Sequence, residues 1–315
     1  MKNITKVALT LSAILAAVGA VLIVVAIFMG GHFSDLWNSR MQIPGGFHFG
    51  SGVTAPHNEY NKSNTYSIFA EGINGIQIDW VSDNVVIKIG ETEQIAFSET
   101  GADLTEETAL RYDVQGSTLL IHYCEDQTFL NVNLPGKQLT VILPATLAAN
   151  LQSLSVETVS ADITIDDPLF RMEKLYVETV SGNLNAVIDS AGTAELGTVS
   201  GNLSVSGAIN EVDAESVSGN CSVNGEINKF DAESSSGDVL LDCRSGAPGD
   251  LDIETVSGNV TLHLPQDADL ILEYETASGD FDSDFAMSIR NGNYVIGGGR
   301  SEWRVETVSG DLTVR

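Results

Sequence analysis

VETVSGNL, at residues 177–184, decides how this 315-residue chain folds, because seven near-copies accompany it. They read VETVSADI (156–163), LGTVSGNL (196–203), AESVSGNC (214–221), AESSSGDV (232–239), IETVSGNV (253–260), YETASGDF (274–281) and VETVSGDL (305–312). Their serines are Ser160, Ser181, Ser200, Ser218, Ser236, Ser257, Ser278 and Ser309, spaced by 21, 19, 18, 18, 21, 21 and 31. A period near 20 around a fixed turn marks stacked coils, each too small to bury its own apolar face. Leucine-rich repeats need a frame that is missing here, and propeller blades are about twice as long. The expectation is an all-β chain: a parallel β-helix, or β-solenoid, of about 20-residue coils.

The unit has a physical logic. Glycine follows the serine in seven copies and is expected to turn a corner with φ > 0; Ala161 replaces it in the first. Asn or Asp comes next every time and suits a turn with side-chain-to-backbone bonds. The residues three and five past the serine are mostly apolar (Ile163/Ile165, Leu203/Val205, Val260/Leu262, Leu312/Val314), which is strand alternation. Before the turn, Val177 and Val180 are both apolar yet three apart, and a bend near Thr179 would let both face inward. The long interval before Ser309 contains SIRNGNYVIGGG (288–299), where Asn291-Gly292 predicts a hairpin inserted into, or flanking, the last coil. Upstream, GIQIDWVSDNVVIKI (75–89) is a degenerate form of the unit, and residues 65–150 are read as degenerate coils ahead of the repeats at 151–315.

Residues 7–29 form an uncharged run of 23, preceded by Lys2 and Lys6. At about 1.5 Å per residue it reaches roughly 34 Å, enough to span a bilayer. The positive-inside rule then places the N-terminus in the cytoplasm and the rest outside, as a single-pass anchor within residues 1–30. A cleaved signal peptide is the competing reading; its apolar part would be unusually long and no small-x-small site follows. Residues 31–64 are rich in Gly, His, Asn and Ser and read as a juxtamembrane linker before an extracellular domain at 65–315.

Composition narrows the function. The chain carries 15 basic and 43 acidic residues; with both lysines of the first 30 removed, the remainder has 13 against 43, a net of −30. Such a surface repels phosphate backbones and excludes nucleic-acid binding. The three cysteines match no zinc pattern. Cys221 stands where other copies hold an aliphatic residue and reads as core; a Cys221–Cys243 disulfide between neighbouring coils is an open alternative. His32, His48 and His57 are too widely spaced for a compact metal site, and His263 sits on an alternating strand.

Glu157, Glu178, Glu215, Glu233, Glu254, Glu275 and Glu306 all lie three before the serine; Gly197 breaks the series. Stacked in register they would repeat every about 4.8 Å. Like charges that close must be solvated, splayed or neutralised. A solvent-facing ladder is the first reading, weak divalent-ion binding by these glutamates the second, and a glycosidase-like pair the third. Catalysis needs one or two carboxylates in a singular environment rather than seven alike. No cofactor and no catalytic residue is expected.

The ETVSGN/D ladder, the early GIQIDWVSDNVVIKI, the VNLPGKQLTVILP stretch, LHLPQDADLILEYETASGDF and the closing VETVSGDLTV together resemble a bacterial family of β-strand-repeat proteins labelled candidate adhesins, a domain of unknown function. The resemblance covers about residues 67–315. It implies a β-helical cell-envelope domain, often behind one membrane anchor and sometimes associated with envelope-stress operons, with no agreed activity or catalytic residues. The expected function is therefore a non-enzymatic, membrane-anchored extracellular adhesin or envelope scaffold whose partner is an envelope component or protein. An envelope-stress sensor is the alternative, and a carbohydrate-active enzyme the outside reading.

Overall fold

A computed structural model describes residues 61, 63–102, 104–124 and 136–315. The apolar run at 7–29 and most of the 31–64 segment lie outside the described residues. Among the described residues no helix is long and apolar enough to cross a membrane.

Each coil contributes a strand to each of two facing sheets, with the SGN/D corner between them. Apolar side chains of the two sheets meet in a single core, and identical positions of successive coils form columns. Leu184, Leu203, Cys221, Val239, Val260 and Leu312 are neighbours in one column, all buried. Val156, Val177, Leu196, Ala214, Ala232, Ile253 and Val305 form the column before the corner. Pairing through the repeats is parallel and in register, with one shift between Val187 and Ser190.

The corner is held by three repeated polar contacts. All eight serines donate their hydroxyl to a carbonyl of the neighbouring coil, such as Ser200 to Val180 at 3.3 Å and Ser218 to Val199 at 3.1 Å. The Asn or Asp Oδ1 of one coil accepts the backbone N–H of the next, from Asp162 through Asn183, Asn202 and Asn220 to Asp238 and Asn259. Inside the bend, the N–H of Gly182, Gly201, Gly258 and Gly310 donates to the hydroxyl of the buried threonine three residues earlier.

That threonine revises two expectations. Thr179 is buried and Val180 is only half-buried, so alternation runs through Val177 and Thr179, and the bend that follows at Val180 and Ser181 does not turn Val180 inward. The corner glycines are also not the ones with positive φ. They are required because coils approach too closely for a side chain: a Cβ on Gly201 would come 1.7 Å from the Gly182 carbonyl oxygen. Ala161 is tolerated because its coil lies on the degenerate corner, where Asp83 takes φ 68.

The stack does not follow chain order at its ends. Ser301–Thr307 inserts between Asp250–Thr255 and Leu270–Thr276, and Leu312–Val314 inserts between Val260–His263 and Phe281–Ser283. The serine bonds agree: Ser309 reaches Val256, and Ser278 reaches Val308. The N-terminal end mirrors this, because Gly75–Trp80 lies between Thr118–His122 and Leu151–Thr158. Antiparallel strands close both ends. Thr65–Phe69 and Gln94–Gly101 cover Lys137–Pro144, while Arg111–Gln115 covers Thr118–His122. The expected hairpin, Ser288–Arg290 with Asn293–Ile296, turns on Asn291 and Gly292 at φ 55 and 95 and pairs with Leu270–Thr276. Capping of this kind hides edges that would recruit further strands.

The N-terminal cap contains a buried ion pair. The Lys137 ammonium, fully inaccessible, donates to Glu99 at 2.7 Å, to the Thr108 carbonyl at 2.6 Å and to the Tyr123 carbonyl, and lies over the Trp80 and Tyr123 rings. Glu99 also accepts the Leu110 N–H at 2.9 Å. Burial lowers the lysine's pKa, and the Glu99 carboxylate pulls it back. The three cysteines are buried and none is in a disulfide; the register sets Cys221 opposite Val239 rather than Cys243.

Two stability predictions follow from this packing. Gly201→Ala must push two coils apart and should cost about 1–3 kcal/mol or more. Gly246→Ala, with nothing within 4 Å of the added carbon, should stay within about 0.5 kcal/mol of the parent when both variants are compared by unfolding in urea. Lys137→Met leaves Glu99 charged and buried and should cost about 3–5 kcal/mol, and adding Glu99→Gln should recover part of that loss.

Candidate functional site: the carboxylate face

The glutamate ladder lies on the outward face of the sheet that precedes each corner. Register places its members in the order Asp79, Glu157, Glu178, Gly197, Glu215, Glu233, Glu254, Glu306, Glu275. Asp79 belongs because IDWVSDN aligns with VETVSGN, a signal present in the sequence. A second column runs beside it: Tyr176, Glu195, Asp213, Asp231, Asp252, Arg304, Glu273.

The rungs are not equivalent. Glu157 is 5% exposed, and its carboxyl is pushed up to about 8, by burial first and by Asp79 and Glu178 after it. Burial likewise lifts Glu178 to about 7, against a hydrogen bond from Tyr176. Glu215 and Glu233 are exposed, and burial of part of each side chain and the carboxylates around them raise both. Asp213 and Asp231 beside them are raised by the same causes. Glu254 and Glu306 share a cation: Arg304 reaches Glu254 at 3.0 Å, Asp252 at 3.2 Å, and Glu306 in its own strand. Lys174 pairs with Glu195 at 2.8 Å and Lys229 with Glu211 at 2.6 Å. Asp213, Glu215, Asp231 and Glu233 thus form a grid of four carboxylates that no ion pair among the described residues reaches.

The arrangement does not suit general acid–base catalysis. The two most perturbed carboxyls, Glu157 and Glu178, are shifted in the same direction, whereas an acid and its partner base need environments that push them apart. Glu157 is also too buried to meet a substrate. An open cleft lined by Ile89, Gly90, Glu91, Thr92, Glu93, Ala145 and Thr146 contains no ladder residue. Among the described residues no group of three or more His, Cys, Asp or Glu side chains is placed to hold a metal ion. His263 faces Asp242 at 3.5 Å, as a strand residue in a polar column.

The sign of each charge predicts its effect. Glu215→Gln with Glu233→Gln should leave stability in low salt level or raised by at most about 1 kcal/mol, because exposed like charges repel weakly. Arg304→Gln should do the opposite and lower the melting temperature in low salt, with the loss shrinking as salt screens the stranded carboxylates.

Comparison with known proteins bears on the family and the fold. No curated protein matches the chain. Among solved structures, a candidate lipid-binding protein from Parabacteroides distasonis superposes with a TM-score of 0.51 at 14% identity, over 81% of this chain and 98% of that one. A candidate adhesin from Bacteroides fragilis gives 0.49, also at 14% identity, over 80% and 96%. At such identities the likeness concerns the fold and not the function. The Toastrack DUF4097 family matches residues 73–315, most of the chain. This all-β, solenoid-like chain, with the repeat ladder inside the matched residues, belongs to that Toastrack family.

Proposed function

We propose that the chain is a non-enzymatic interaction scaffold of the cell envelope, anchored by one membrane span at residues 7–29 with its solenoid outside the cell. The observation that carries this reading is the outward carboxylate face with its four-carboxylate grid at Asp213, Glu215, Asp231 and Glu233. A rigid array of like charges repeated coil by coil suits multivalent attraction of a basic envelope component, through a field that salt weakens. The anchor rests on the uncharged run of 23 residues behind Lys2 and Lys6. The absence of an acid–base pair on the face favours a scaffold over a carbohydrate-active enzyme.

Capture experiments with the full chain against envelope fractions test the role. A specific partner should be retained in low salt, released in high salt, and lost with Asp213→Asn, Glu215→Gln, Asp231→Asn and Glu233→Gln combined. Retention that ignores both salt and the fourfold variant would refute the grid as the contact. Protease added to intact cells should cut within residues 31–64, and protection of that segment would refute the topology.

A further inference from the structure

Glu157 is the most buried glutamate of the ladder. It is 95% buried on the outward side of its sheet, and its Oε2 has no hydrogen-bond partner. The Oε2 of Glu178, on the adjacent strand and directly in register, is also buried and unpartnered. On the other flank lies Asp79, itself 9% exposed, whose carboxylate is engaged by His122 Nδ1 at 2.9 Å and by Gln77 Nε2 at 3.3 Å. Beyond Glu178 the column opens at Gly197, where a Cβ would come 3.3 Å from the Glu178 Cγ, and the next carboxylate is Glu215.

The groups facing the pair are almost all acidic. They are Asp79 with His122 behind it on one side, and Tyr176, Glu195 and Glu215 on the other. Lys174, which lies over the Tyr176 ring, is taken by Glu195. No ion pair among the described residues reaches Glu157 or Glu178. A buried carboxylate oxygen without a donor is costly when ionised, and two neighbouring rungs cannot both ionise cheaply. A single proton removes both difficulties. On one carboxyl it leaves a single charge on the two rungs and removes the cost of keeping that buried oxygen ionised.

We propose that Glu157 and Glu178 form a proton-binding pair that makes the junction between the first coil and the repeat array sensitive to pH. One proton is held across the rung near neutral pH. In alkali it leaves to water, both carboxylates are charged beside Asp79, and the Gly75–Trp80, Leu151–Thr158 and Arg171–Thr179 strands repel one another. This device goes beyond the scaffold reading and does not depend on it.

The direction of the effect is fixed by linkage. Unfolded, both carboxyls titrate near 4.5, whereas folding raises Glu157 to about 8 and Glu178 to about 7. Between those values the folded chain holds protons that the unfolded chain has lost, so stability is greatest at low pH and falls as pH rises through the window. The pair titrates as a unit, and for each proton that the folded chain holds and the unfolded chain has lost, the folding constant falls about tenfold per pH unit, until that proton leaves the folded chain as well.

The test is a set of melting curves of the full chain from about pH 5 to pH 9, across the window that linkage defines. It compares the parent with Glu157→Gln, Glu178→Gln and, as a control, Glu233→Gln. Other carboxylates on the face also titrate, so the readout is the difference in pH slope between each variant and the parent. Glu157→Gln and Glu178→Gln should flatten the slope and raise alkaline stability, while Glu233→Gln should leave most of it. Infrared spectra supply a measure independent of folding stability: a protonated-carboxyl band should be present in the parent at neutral pH, vanish in alkali and be missing in Glu157→Gln. A parent without that band, or slopes unchanged in both pair variants, would overturn the proposal. So would a calcium-dependent rise in melting temperature at neutral pH that Glu157→Gln abolishes, since the pair would then bind a metal ion and not a proton.

Discussion

Everything in this solenoid depends on how closely one coil rests on the next at the SGN/D corner. The carbonyl oxygen of Gly182 sits where any side chain on Gly201 would have to be, and the same contact recurs from Gly219 over Gly201 to Gly310 over Gly258. Beside it, a side-chain oxygen of Asn or Asp accepts the amide of the following coil. Together these contacts allow one register only. A slip of a single residue would place a Cβ on a carbonyl and leave a row of amides without acceptors, besides turning every strand inside out. Register, once fixed, aligns the apolar columns of both sheets.

The same register has an electrostatic cost. A repeat that stacks valine on valine also stacks glutamate on glutamate, and the ladder relieves the repulsion differently along its length. At one end, burial raises the carboxyls of Glu157 and Glu178 until a proton competes with ionisation. Gly197 then interrupts the column. In the middle, Glu215 and Glu233 remain exposed to water. Near the other end Arg304 places a guanidinium among Asp252, Glu254 and Glu306.

Arg304 reaches those partners because the last coil enters the stack one place early. Stacked in chain order, Asp252 would adjoin Glu273, and Glu254 would adjoin Glu275. Insertion of Ser301–Thr307 puts the arginine between the two acids of the second column and Glu306 between the two glutamates of the first. The first coil is likewise second in the stack. Both chain-terminal coils therefore gain a neighbour on each side, and the outer edges fall to internal segments, of which antiparallel strands cover Thr118–His122, Lys137–Pro144 and Leu270–Thr276. Ring-on-ring clusters form in these caps, with Tyr66, Phe97 and Tyr112 at one end and Tyr274, Phe281 and Tyr294 at the other.

Repetition made much of this legible in the sequence. The period near 20 and the alternation after each serine were enough for a parallel solenoid, the Asn-Gly pair in the long interval for the hairpin at Asn291-Gly292, and the place three before each serine for a glutamate column broken at Gly197. Cys221 could be read as core because it replaces an aliphatic residue at a repeated position. Local chemistry repeated eight times is self-reporting. What depended on contacts between distant segments was not legible. Glycine at the corner is explained by a carbonyl one coil away, and not by its own φ. Lys137 meets Glu99 across 38 positions, and neither residue's surroundings mark it as buried. The order of the terminal coils, the cation shared by Glu254 and Glu306, and the burial of Glu157 all follow from which coil lies on which. A repeat states that its units stack; only the folded chain, through the pairing of its ends, decides the order.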